Sequence, residues 1–151
     1  MALIENLVSY HASRLCIPPE VAITHALTFA RVVGQIENSG NLQGSNKSSS
    51  AKGLYQFIDS SVPIAKKRLA RVLGVLPWFT EDNPNRMTWE QQTLLFLGNI
   101  LGMSGTDAVM GRLLKDLDKD SIVYAYMHYH STALSDGPTI ARARKITEEY
   151  L

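Results

Sequence analysis

Apolar residues recur in this chain every three or four positions, in runs separated by proline- and glycine-bearing breaks. No stretch alternates apolar and polar residues with the β-branched enrichment of a strand. That pattern restricts the fold to packed helices. Leu3, Ile4, Leu7, Val8 and Leu15 predict a first helix over 3–15, which Ile17-Pro18-Pro19 ends. Pro19 suits the first turn of a second helix over 19–37, where its missing N–H has no partner to lose. Its core face is read as Val21, Ala22, Ala26, Phe29, Ala30, Val33 and Ile36. Residues 38–52 are rich in Ser, Asn and Gly and predict a loop. A helical pattern restarts at Gly53 or at Ser60, with Pro63 in its first turn and Ile64, Leu69, Val72 and Leu73 on its apolar face. Residues 74–86, with Pro77 and Pro84, are irregular. Thr88-Trp89-Glu90-Gln91 reads as a capping box that opens a helix through Leu101. Further helices are expected from Thr106 or Asp107 to Leu117, from a cap at Asp120 to about Ser131, and, after an Asp136-Gly137-Pro138 turn, from Thr139 to Tyr150. The expected fold is all-α, six to eight helices in one domain over residues 1–151.

Composition narrows the function. A chain of 151 residues buries roughly two thirds of its unfolded surface and needs no staples. Cys16 is the only cysteine, which excludes an intrachain disulfide; its apolar setting predicts a small core residue. A net charge of +1 argues against a nucleic-acid partner. The basic run Lys66-Lys67-Arg68 with Arg71 reads as a solvated face or as weak steering toward an anionic polymer. No segment is long and apolar enough to span a bilayer, and the N-terminus lacks the charged and apolar regions of a signal peptide.

The second helix carries the chemistry. Glu37 follows Val33 and Ala30 by one and two turns, so it projects from the core side. Partial desolvation and the negative end of the helix dipole both disfavour its charged form, which suits a general acid at neutral pH. A solvated carboxylate at a helix end has the same spacing. What distinguishes the two is the sequence that follows: Gln35-Ile36-Glu37-Asn38-Ser39-Gly40, a polar loop, then Ser49-Ser50-Ala51-Lys52-Gly53-Leu54-Tyr55-Gln56-Phe57.

Those two segments, in that order and at that separation, resemble the lytic transglycosylases related to goose-type lysozyme. In that family a helix ends in Glu-Ser-Gly, and a Gly-Leu-Met-Gln type segment follows a short loop. The resemblance implies a lysozyme-like helical domain that cleaves peptidoglycan between N-acetylmuramic acid and N-acetylglucosamine, with Glu37 as acid and then base. It implies that Ser39, or Asn38 in its place, and Ser50 face substrate. Tyr55, where Met is usual, is then an aromatic wall against a sugar. Gln56 hydrogen-bonds an N-acetyl group or orients Glu37. The family's third motif, Ala-Tyr-Asn-Ala-Gly, corresponds to Tyr124–Thr132 in either of two registers. One sets Tyr129 and His130 on Tyr and Asn; the other sets Ala125-Tyr126 on Ala-Tyr. Tyr126, Tyr129 and His130 share a helical face, which also reads as an aromatic core stripe.

The resemblance also implies the reaction, in which the muramic acid C6 hydroxyl attacks intramolecularly and leaves a 1,6-anhydro end, and a single carboxylate suits it. A hydrolase needs a second acid, for which Asp59 is the candidate, itself equally suited to cap the next helix; Glu81, Asp82 and Asp136 fall in expected loops. His128 and His130 lie on different faces and find no third ligand, so no metal is expected, and no cofactor motif occurs. The expected partners are glycan strands and, for a virion-associated or secretion-delivered enzyme, other proteins of that apparatus. A wall-binding module with a decayed site is the alternative from another class.

Overall fold

The computed structural model describes residues 1–45, 48–130 and 137–151. Among them are seven α-helices: α1 (Ala2–Arg14), α2 (Pro19–Asn38), α3 (Ser61–Leu73), α4 (Trp89–Leu101), α5 (Thr106–Asp116), α6 (Lys119–Tyr129) and α7 (Gly137–Tyr150). A single 3-10 turn covers Pro84–Arg86. The all-α expectation holds. The described residues contain no β-strand, only isolated antiparallel bridges joining Lys52 to Ser45 and to Phe57.

Helix α4 organises the rest. Every residue from Gln92 to Leu101 is buried, the signature of a helix apolar around its whole circumference. It packs against α1, α2, α3 and α5, while α2 also meets α7, and α6 lies between α5 and α7. One hydrophobic cluster runs through all of them, with Phe29, Leu94, Phe96, Leu97 and Leu113 fully buried. The Thr88 cap is the reciprocal box expected from sequence: Gln91 N–H donates to Thr88 Oγ1 at 3.1 Å and Thr88 N–H to Gln91 Oε1 at 3.0 Å.

Several local readings are corrected. Cys16 is exposed, because the chain turns into the left-handed region there (φ 58°) before the prolines and swings the thiol outward. Val21 and Ile64 are 39% and 49% exposed, since each sits at the edge of its helix's apolar stripe. Helix α6 is capped by Asp118, whose Oδ1 accepts from Ser121 N–H at 2.7 Å; Asp120 instead faces Arg144 at 3.6 Å. Ser60, not Gly53, precedes α3, and Asp59 does not cap it: its carboxylate pairs with Lys52 at 2.9 Å. Gly137 and Pro138 belong to the first turn of α7. Ser131, Thr132 and Asp136 lie outside the described residues.

Candidate active site

Helix α2 ends in a left-handed turn. Ser39 (φ 51°) donates its N–H to Gln35 O, and Gly40 (φ 79°) donates to Gly34 O, both at 3.1 Å. The turn sends the chain away from the helix axis and leaves Glu37 on the last core-facing position. Asn38 then holds the loop, donating from Nδ2 to Asn41 O at 2.8 Å and Gln43 O at 3.0 Å.

The returning segment is riveted to α4. Gln92, fully buried, accepts from Leu54 N–H at 2.7 Å and donates to Leu42 O at 2.9 Å and Met87 O at 3.2 Å. Gly53 (φ 81°) is required there twice over. Its backbone conformation suits glycine, and a Cβ would lie 2.5 Å from Gln92 Oε1 and 2.7 Å from Pro84 Cβ. Asn85 Oδ1 adds bonds from Gly44 N–H at 2.9 Å and Gly53 N–H at 3.0 Å.

This rivet overturns one expectation. Tyr55 is 1% exposed; it stacks on Phe96 with ring centroids 4.4 Å apart, and its hydroxyl is within 2.8 Å of Thr93 Oγ1. It is a core residue, not a wall against sugar. Ser39 is exposed at the turn. Ser50 accepts from Asp59 N–H at 2.9 Å and so fixes the loop. Neither serine lines the cavity described next, and Ser49 does.

A cleft of about 510 Å³ opens beside Glu37, bordered by Ser49, Gln56, Asn99, Tyr129 and His130. The Glu37 side chain is only 8% exposed. The Tyr126 hydroxyl donates to its Oε1 at 2.6 Å, and His130 Nε2 stands 4.0 Å from the same atom. Tyr129 lines the cleft but donates to the Tyr55 carbonyl at 2.9 Å. Of the two registers, the one that places Tyr126 on the motif tyrosine brings a phenol onto the acid. Gln56, itself left-handed (φ 53°), borders the cleft and donates from its amide nitrogen to Gly53 O at 2.8 Å. Asn99 was missed by sequence reasoning because it sits inside an otherwise apolar helix; an amide in such a run was the available signal.

Burial pushes the Glu37 carboxyl above its ordinary range, and the Tyr126 hydrogen bond, His130 and Arg142 oppose that shift. Burial, then the Glu37 charge, keeps the Tyr129 phenol protonated. Among the described residues no second carboxylate borders the cleft; Asp59 has a side chain 73% exposed and is tied to Lys52. A larger hollow of about 610 Å³ lies along α1 and is bordered by Asn6, Ser9, Tyr10, Ser13 and Arg14, with no acid. Comparison of the chain with protein-family models, with curated proteins and with solved structures gives no match. No described helix is long and apolar enough to cross a membrane.

Proposed function

We propose that the chain is a peptidoglycan lytic transglycosylase and that Glu37 is its general acid and base. The observation that carries the reading is one carboxylate, 8% exposed and hydrogen-bonded at 2.6 Å by Tyr126, facing a cleft large enough for a sugar residue. The two sequence segments that resemble the family are the ones that build this corner. Its wall partners and its delivery, as part of a virion or through a secretion apparatus, follow from the same resemblance.

The chemistry uses what borders the cleft. Tyr126 and His130 both address Oε1, which leaves Oε2 for substrate. Protonated Glu37 gives its proton to the glycosidic oxygen as the bond from the muramic acid C1 breaks. The acetamido oxygen of the same sugar supports the positive charge that develops. The Glu37 carboxylate then takes the C6 hydroxyl proton while O6 closes on C1, so the product is a 1,6-anhydro sugar and Glu37 ends protonated again. No water is consumed and no second carboxylate is needed, in contrast to hydrolysis. Burial suits the first step by favouring the protonated form of Glu37; the Tyr126 hydroxyl suits the second by supporting the carboxylate.

The test is Glu37→Gln on isolated cell walls. The expected outcome is loss of lysis by about 10²-fold or more, the range a positioned general acid contributes, with helicity retained. Binding to walls without lysis by the unaltered protein favours the decayed module instead.

A further inference from the structure

The basic run on α3 divides in the fold. Lys66 is consumed internally: its Nζ donates to Glu81 O at 2.6 Å and pairs with Asp82 at 2.8 Å. Lys67, Arg68 and Arg71 instead border a trough of about 430 Å³, with Ile64 on the same helix and Gly102 and Ser104 at the end of α4. No carboxylate borders it among the described residues, and within them Lys67 and Arg71 have no ion-pair or hydrogen-bond partner. These two like charges stand four residues apart on one helix face, an arrangement that destabilises an isolated helix. An anion between them would reverse the sign of that interaction.

One hydrogen bond links the lining of the trough to that of the cleft. Arg68 donates from Nη1 to Asn99 Oδ1 at 2.7 Å, and Asn99 borders the cleft that contains Glu37. Gly102 permits the junction, since a Cβ there would lie 2.9 Å from Arg68 Cβ. Ser61 borders the cleft at the start of α3. From Ser61, Lys67 and Arg71 lie about 9 and 15 Å along the helix axis at roughly 1.5 Å per residue. About three residues of extended peptide, at about 3.3–3.6 Å each, reach Lys67, and about five reach Arg71.

We propose that this trough receives the carboxylates of the peptide stems carried by the glycan strand whose sugars enter the cleft. The proposal rests on the peptidoglycan reading of the cleft and adds to it: the substrate is a stem-bearing strand, held by its peptide as well as by its sugars. A guanidinium and an ammonium one helical turn apart match a flexible chain with more than one carboxylate.

Binding by the Glu37→Gln protein, which holds strands without turning them over, tests it. The probes are purified glycan strands with their peptide stems and the same strands stripped of peptide by an amidase. The stem-bearing strand is expected to bind about 5- to 10-fold tighter, and added salt is expected to reduce that difference. Lys67→Gln with Arg71→Gln, both exposed and without internal partners, is expected to erase the difference with an unchanged melting curve. Equal binding of the two strands by a protein whose unaltered form lyses walls overturns the trough alone, as does a difference that persists in the double variant. Binding of neither strand overturns the trough together with the reading on which it rests.

Discussion

Two polar side chains are buried at the same corner of the molecule, and they are partnered in opposite ways. Gln92 has its amide oxygen and both amide hydrogens engaged, all on backbone groups of the loop that follows α2 and of the turn before α4. Among the described residues Glu37 receives one hydrogen bond, from Tyr126 onto Oε1, and it borders an open cleft. A buried amide with every position taken is a fastener. A buried acid with an oxygen unspent, at the edge of a cavity, stores a proton that can be moved. Gln92 is fully buried and the Glu37 side chain is 8% exposed, so water is largely kept from both, and the count of satisfied positions is what distinguishes structure from chemistry.

The largest effect expected from breaking this contrast is on folding. Gln92→Leu strands the buried Leu54 N–H and the Met87 carbonyl, and is expected to lower stability by about 3 kcal/mol, read as a fall in the denaturant midpoint. Glu37→Gln moves in the other direction. Burial raises the folded-state pKa of Glu37 above its unfolded value, so the stability linked to its proton is present below about 4.5, the ordinary value, and is lost as pH rises through the folded-state pKa. The glutamine has nothing to lose. The melting temperature of Glu37→Gln relative to the unaltered protein is therefore expected to rise with pH over that interval. A fall would place Glu37 among the fasteners.

Tyr126→Phe sharpens the same point at a smaller magnitude. Its hydroxyl lowers the Glu37 pKa. Removing it is expected to slow wall lysis by about 10-fold, the equivalent of roughly 1.4 kcal/mol, and to move the alkaline limb of the pH–rate profile upward. Tyr129→Phe loses a bond to the Tyr55 carbonyl instead. It is expected to cost about 1 kcal/mol of stability with the limb unmoved. The last effect is expected far from the site and bears on stability alone. Burial, then Arg14, lowers the His11 pKa from 6.5 to about 4, so the neutral ring supports the fold above pH 6.5 and that support is lost as pH falls toward 4. His11→Gln is expected to flatten the melting temperature over that acid interval.

The helices were legible because their signals are local. Pro19 at a first turn and the Thr88–Gln91 box depend on neighbours in sequence, and both occur as read. Glu37 was legible for the same reason, as the last residue of an apolar stripe. Direction after a turn was not. The left-handed residues Cys16, Ser39 and Gln56 re-aim the chain by geometry that spacing does not carry, which is why Cys16 points outward and Tyr55 inward. The motif around Gly53 specified which residues meet Glu37's loop, and left undetermined that Gln92, 38 positions away from Leu54, would hold them. Neither register of the third motif was favoured by pattern; the tertiary placement of α6 between α5 and α7 puts Tyr126 on Glu37 and Tyr129 on Tyr55.

Digestion of cell walls in heavy-oxygen water, followed by mass spectrometry of the sugar ends, measures the single-carboxylate scheme directly. If Glu37 serves as both acid and base and O6 is the nucleophile, the new ends are 1,6-anhydro sugars, lighter than reducing ends by one water and free of heavy oxygen. Reducing ends that carry one heavy oxygen would mean that water attacked, and would contradict it.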